Sequence, residues 1–246
     1  MISSKKTTIR LGVDISCLSG NLSGIGKYTY ENLFQLSKRK DVEIFFYSYS
    51  YPNEKYFKYL SYYKTHFMNF NQNGLIRLFW VNFILPIKLK RDEIDVFWAP
   101  SPRIPLFFMP SKTKLIFTIH DFVYKVVPKT MRYYSYLVDK FYVGKCIRKS
   151  YKIICLSQTT KNQLSKFFPE NSSKAYVTSF GISKKLISNN QSFNFKNYIL
   201  FIGTLEPRKD VLTLLKAYAH LKEEFRLKYK LIIAGHKGWG SLNLLA

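Results

Sequence analysis

Acidic residues are scarce in this chain. Fifteen Asp and Glu stand against 39 Lys and Arg, a formal net charge of +24. Such a surplus attracts polyanions, so charge alone leaves three partner classes open: nucleic acid, an anionic membrane face and phosphorylated substrates. Cysteine is scarce as well. Cys17, Cys146 and Cys155 are odd in number and far apart, which excludes a disulfide framework and fits inert core thiols in a reducing compartment. No uncharged apolar run reaches about 18 residues, so a membrane-spanning helix is not expected. Met1 to Arg10 lacks the apolar core of a signal peptide. The expected location is the cytoplasm. Histidine is thin and scattered, and His120–Asp121 alone does not make a zinc site, so no metal is expected. Compact nucleic-acid motifs are missing: there is no zinc-finger spacing, basic zipper or aromatic RNA-recognition signature.

Aromatic residues, in contrast, are abundant, with 19 Tyr and 21 Phe among 246 residues. Interleaved with Lys, they suit stacking on bases, seating at a bilayer interface, or ordinary solvated faces over a packed core, and composition does not choose among these. A hydrophobic content of 47% supports a sizeable core, in one large domain or two small ones.

The pattern along the chain is strand, loop, helix, repeated. Ile9 to Asp14 reads as a first strand. Ser19 to Gly26 is rich in Gly and Ser, and a helix follows with Ile25, Tyr28, Asn32, Leu33 and Leu36 on one face. Gly20, Gly24 and Gly26 do not make the dinucleotide fingerprint. Val42 to Ser48 is a second strand, and one or two helices are expected between Tyr49 and Lys90. There the cluster Leu78, Phe79, Trp80, Phe83, Ile84 and Leu85 reads as packed core rather than a greasy surface helix. Ile94 to Trp98 is a strand, followed by a loop stiffened by Pro100, Pro102 and Pro105. Leu115 to Ile119 delivers His120 and Asp121 to a strand end, where a neutral His suits sugar hydroxyls. A helix over Met131 to Ser150 turns Tyr134, Leu137, Val138, Phe141, Cys146 and Ile147 inward. Strands follow at Lys152 to Ser157 and around Ala175 to Val177.

Residues 188–196 are polar and aperiodic, which places a boundary between domains 1–190 and 191–246. The second domain opens with a buried strand, Tyr198 to Ile202, and a loop carrying Glu206, Pro207, Arg208 and Lys209. Asp210 can cap the next helix, whose apolar face runs from Val211 to Phe225. Lys230 to Ala234 is the next strand. In an open parallel sheet such a loop lies at the carboxyl edge where ligands bind. Two cations at a helix N-terminus suit a phosphate or diphosphate, although a solvated pair is the plainer reading.

Several segments resemble one family. FIGTLEPRKDVLTLLKAY is similar to the donor loop of the family-four retaining glycosyltransferases, SGIGKYT (Ser23 to Thr29) to their first glycine loop, and KLIFTIHDFVYKVVPKTM to their TIHD segment. VTSFGIS and GHKGW fit the same pattern. The resemblance implies a GT-B fold, with a doubly wound parallel-sheet N-terminal domain and a second Rossmann-like domain. By it, Arg208 and Lys209 contact the donor diphosphate, Gly24 and Gly26 face the donor phosphates, His120 contacts the donor sugar and Asp121 holds its loop. It implies transfer of a hexose, mannose among the candidates, from a nucleotide-diphosphate sugar with retention, to a saccharide or lipid-linked acceptor, without cofactor or metal. No carboxylate pair at hydrolase geometry is visible. Family members carry a Glu, seven residues and a second Glu that bind the donor, and this motif is absent after Trp239. The second domain is therefore expected to be incomplete. That leaves open a separate chain supplying the rest, or an inactive truncated remnant. A basic nucleic-acid-binding protein is the other alternative. Charge and aromatics add an expectation of peripheral contact with the anionic cytoplasmic membrane face.

Overall fold

The computed structural model describes residues 8–20, 23–54, 56, 64–67, 74–181 and 197–240. The chain divides into two units, Met1–Phe122 with Lys140–Ser183, and Val123–Asp139 with Lys184–Ala246. The boundary expected at 188–196 lies outside the described residues.

The first unit is built on one parallel sheet of seven strands: β1 (Ile9–Asp14), β2 (Val42–Ser48), β3 (Lys64–Phe67), β4 (Val96–Ala99), β5 (Lys114–Ile119), β6 (Lys152–Cys155) and β7 (Ala175–Val177). Their order is β3-β2-β1-β4-β5-β6-β7. The chain winds from β1 out to β3, returns to β4 beside β1, and winds the other way to β7, the doubly wound plan that the strand–helix alternation predicts. Strand β3, KTHF, has no apolar run and was not expected.

Period-two alternation covers the sheet on both faces. Leu11, Val13, Ile44 and Phe46 join Tyr28 and Leu33 of the helix Gly24–Leu36 in one core cluster. On the other face, β1 has no side chain at Gly12. A Cβ there would stand 2.9 Å from the Tyr47 ring, 3.2 Å from Ile94 and 3.3 Å from Leu89. Tyr47 cannot retreat freely, because its hydroxyl donates to Asp92 Oδ2 at 2.7 Å.

Residues 74–91 are helical throughout but not uniform. A helix Gly74–Phe79 passes through a π turn, Trp80–Ile84, into a helix Leu85–Arg91. Trp80, Val81, Asn82, Leu85 and Leu89 are buried, whereas Phe79 and Phe83 are exposed. The packed core expected for this stretch is therefore only half right: apolar residues occupy more of the circumference than one sheet face can cover. Asn82 donates to Leu78 O (2.8 Å) and Tyr142 Oη (3.1 Å) and accepts from the Leu106 amide (2.8 Å). Tyr142 donates to Ile104 O at 2.7 Å. Together they fix the proline-rich loop after β4.

The helix Tyr133–Lys149 buries Tyr142, Val143, Cys146 and Ile147. Tyr134 and Phe141, expected inward, are exposed, because the buried stripe falls on the neighbouring positions of the last turns.

In the second unit, β8 (Tyr198–Ile202) pairs in parallel with β9 (Lys230–Ala234). Strand β8 is mostly exposed, not buried as its apolar run suggested; among the described residues its sheet has two strands. The single helix expected to Phe225 is two, Val211–Ala219 and Glu223–Lys228. Lys222 is extended between them, and Tyr218 Oη donates to Arg226 O at 3.2 Å and Tyr229 O at 2.9 Å, which folds the second helix back. No described helix is long and apolar enough to cross a membrane.

The fit around Gly12 gives a direct test. Gly12→Ala should destabilise the chain by about 1–3 kcal/mol through overpacking, read as a lower denaturant midpoint at unchanged slope. An unchanged midpoint would show that Tyr47 yields.

Candidate functional site

The winding of the large sheet reverses between β1 and β4, so the loops leaving their carboxyl ends diverge and open a crevice. Five features of the first unit meet this edge.

The first is the start of the helix Gly24–Leu36. Gly24 and Gly26 lie in its first turn, not in a loop before it. Ser23 is the N-cap, its Oγ accepting from the Gly26 amide at 3.3 Å. Nothing lies within 4 Å of where a Gly24 Cβ would stand, so the turn is open on that side. The second is Asp14, buried at the end of β1 and accepting from the Ser16 amide at 2.9 Å. The third is Arg77, which sequence reasoning passed over. It donates to Ser101 Oγ at 3.2 Å, lies 3.9 Å from Asp14 Oδ2 and sits over the Tyr49 ring at 5.4 Å. Its buried Nε has no hydrogen-bond partner among the described residues. No feature of its flanking sequence marks it, because long-range topology brings it here.

The fourth is His120 at the end of β5. Its Nε2 is 2.7 Å from Pro100 O. A carbonyl only accepts, so Nε2 carries the proton and Nδ1 is left as an acceptor in the neutral ring. Burial pushes the imidazole below its ordinary pKa, against the opposing pull of the Pro100 hydrogen bond and the Asp121 charge. The Pro100 hydrogen bond thus gives the neutral ring a defined tautomer. The His120 carbonyl accepts from Thr160 Oγ1 at 3.2 Å, and Thr160 is itself held by Ser157, the N-cap of the helix Gln158–Phe167.

The fifth is a buried network behind His120. Trp98 Nε1 donates to Thr118 Oγ1 at 3.1 Å, and Tyr28 Oη shares a 3.3 Å hydrogen bond with the same oxygen. The Tyr28 ring stands edge-on to His120 (5.7 Å), Trp98 (6.0 Å) and Phe180 (5.6 Å). Tyr28 was legible only as an inward helix position. Its link to Thr118 required the fold.

In the second unit the edge is formed by the loops after β8 and β9. Gly203 N donates to Ala234 O and Leu205 N to His236 O, each at 2.9 Å, and Gly238 N donates to Leu205 O at 2.9 Å. A Cβ on Gly235 would stand 1.8 Å from Gly203 O, and one on Gly238 2.6 Å from Leu205 O. Only glycine permits this approach. Pro207–Lys209 forms a 3₁₀ turn with Arg208 and Lys209 both exposed. Arg208 Nη2 pairs with Glu206 Oε1 at 2.6 Å. Asp210 occupies the N-cap position of Val211–Ala219 with φ 47°, yet its side chain makes no capping hydrogen bond, contrary to expectation. The left-handed backbone turns the carboxylate away from that role. Lys237, backbone-paired with Leu205, adds a third cation to these loops. Among the described residues, no group of three or more His, Cys, Asp or Glu could hold a metal.

Residues 22–185 match the model of Glycosyltransferase Family 4, and residues 183–244 that of glycosyl transferases group 1. The chain is 27% identical over 172 residues to the O-antigen chain mannosyltransferase B of Escherichia coli, covering 64% of this chain and 38% of that protein. It is 45% identical over 49 residues to the GalNAc-alpha-(1->4)-GalNAc-alpha-(1->3)-diNAcBac-PP-undecaprenol alpha-1,4-N-acetyl-D-galactosaminyltransferase of Campylobacter jejuni, covering 20% of this chain and 14% of that one. Among solved structures, the Anabaena protein HepE in complex with UDP and glucose is similar at a TM-score of 0.61 and 16% identity, covering 97% of this chain and 64% of that one. The chain thus spans less than two thirds of the length of each. The fold is GT-B-like: a two-domain α/β plan with a larger parallel sheet in the first domain and a smaller one in the second.

The state of His120 has a measurable consequence. A folded-state pKa below the unfolded value means that the unfolded chain binds the extra proton first as pH falls. The contribution is complete above the ordinary His value of about 6.5 and is lost as pH drops through and below it. Stability measured against pH should decline in that window, and His120→Gln should remove part of the decline. An imidazole that titrates at or above the ordinary value by NMR would contradict the assignment.

Proposed function

The chain belongs to glycosyltransferase family 4, and on that premise we propose that it transfers a hexose from a nucleotide-diphosphate sugar to a saccharide or lipid-linked acceptor, with the anomeric configuration retained. The observation that carries this reading is the loop pair after β8 and β9. There the exposed Arg208 and Lys209 stand on backbone that only glycines allow to come so close. A diphosphate is the dianionic, many-acceptor group such a surface suits. As the bond to the sugar breaks, the diphosphate gathers charge. Arg208 and Lys209 would stabilise that charge, with Arg208 exchanging Glu206 for phosphate oxygen. His120, its Nε2–H engaged by Pro100, offers Nδ1 to a hydroxyl of the donor sugar. Gly24 leaves the first turn of the helix Gly24–Leu36 open on one side for a donor phosphate, whereas Gly26, in the same turn, is buried.

The Escherichia coli relative, a mannosyltransferase by name, supports mannose as the sugar. The Campylobacter relative, named for an undecaprenol diphosphate acceptor, supports a lipid-linked acceptor and keeps N-acetylgalactosamine in view. With a lipid-linked acceptor the chain would work at the anionic cytoplasmic membrane face.

The test is release of nucleoside diphosphate from a panel of nucleotide sugars with lipid-linked and saccharide acceptors, alongside direct titration of the diphosphates. Arg208→Ala and Lys209→Ala should each lower turnover by about 10²-fold or more and weaken diphosphate binding. Robust turnover indifferent to both substitutions would refute the phosphate assignment.

A further inference from the structure

The first unit carries a group of partly exposed phenylalanines whose rings meet one another. Phe79 and Phe83, four residues apart on the 74–91 helical segment, stack at 5.1 Å. Phe83 also meets Phe107 at 6.2 Å and Phe108 at 6.0 Å, on the loop after β4. These four side chains are 54%, 42%, 53% and 77% exposed, and Ile87, four residues beyond Phe83, is 67% exposed. Scattered exposed apolar residues are ordinary, but a contiguous patch marks an interaction surface.

We propose that this ring cluster is the face by which the chain seats on an anionic lipid bilayer. The inference rests on the membrane reading given above and names its surface.

Two observations argue for it. The first is charge. Residues 74–91 contain Lys88, Lys90 and Arg91, besides the Arg77 engaged at the crevice, and no acidic residue, and residues 100–114 contain Arg103, Lys112 and Lys114 and none. Lys149 is fixed at the root of the Phe107–Phe108 turn, where its Nζ donates to Leu106 O at 2.6 Å. The nearest carboxylates in sequence are engaged elsewhere: Asp92 with Tyr47 and His66, Glu93 with Arg10. Aromatic rings with a cationic surround fit an anionic interface, where rings enter the headgroup region and ammonium groups meet phosphates. A second copy of this chain fits poorly, because two such faces would bring cations against cations.

The second observation is the backbone at Phe108, with φ 51°. The left-handed region disfavours a bulky side chain, and Asn or Gly would sit there with less strain. Here the strained residue presents the most exposed ring of the cluster. Its ring contacts with Phe83 and Phe107 leave it 77% exposed, and burial of the ring in a bilayer would cover the remainder.

The experiment uses the full chain with vesicles of phosphatidylcholine, with and without phosphatidylglycerol, at low and high salt. The wild type should bind the anionic vesicles and lose binding at high salt. Phe107→Ser combined with Phe108→Asn should weaken binding about tenfold or more, with nucleoside diphosphate affinity unchanged. Phe108→Asn alone should leave the thermal midpoint unchanged or higher while weakening vesicle binding, a combination that a merely structural role would not give. Phe34→Ser, which removes an exposed ring on the helix Gly24–Leu36, should bind as wild type. If the double variant binds vesicles as well as the wild type, this face is wrong although the membrane reading stands. If the wild type binds no vesicles yet takes the diphosphate normally, both membrane statements fall and the donor reading survives. If removing the rings instead converts a dimer to a monomer in sedimentation, the occupant is a second copy and the proposal is overturned.

Discussion

Parallel strands cannot be joined by tight turns; each needs a crossover, and crossovers keep one hand. A chain that starts in the middle of its sheet must therefore wind outward twice, and the two windings part at the starting strand. In this molecule the parting lies between β1 and β4. Residues far apart in sequence gather there for no local reason: Asp14, Arg77, Ser101 and, one strand further, His120. The proline-rich loop after β4 lines the parting, and Asn82 and Tyr142 tie it down from two different helical segments. The site is thus a product of topology first and of side-chain chemistry second.

What the sequence made legible follows the same division. Strands β1, β2, β5 and β6 and the strand-end position of His120 are local signals, apolar runs ended by polar residues, and they could be read. The glycine-spaced loops and the Arg208–Lys209 pair were readable through resemblance. The Tyr28–Thr118–Trp98 network and Arg77 were not, because each depends on neighbours set by sheet order. Burial was the least legible property. Tyr198 to Ile202 looked like a core strand because an apolar run records what a segment could bury, not how much structure covers it. Phe79 and Phe83 misled in the same way, since clustered aromatics ordinarily bury. Asp210 had the right residue type at the right position, yet its backbone conformation denies it the cap.

The charge imbalance has a structural side as well. Several of the few carboxylates are held by specific partners: Asp14 by the Ser16 amide, Asp92 by Tyr47, Glu43 and Glu93 by Arg10, and Glu206 by Arg208. Surface pairs of this kind add little stability individually. Each Arg–carboxylate pair cancels a cation along with its anion, so pairing leaves the surplus of +24 as it is, and that surplus acts on the surroundings.

The hydrogen bond from His120 to the Pro100 carbonyl also bears on how this site tolerates sequence drift. The acceptor is main chain, and no replacement of the side chain at position 100 deletes a carbonyl. The proton on Nε2 is therefore insured against most point mutations in the loop that faces it. It is exposed instead to changes of length: one residue inserted or lost between Ala99 and Ile104 would carry the carbonyl away while leaving every side chain near the imidazole nominally intact. Over long divergence, such a site should resist substitution and be broken by insertion or deletion.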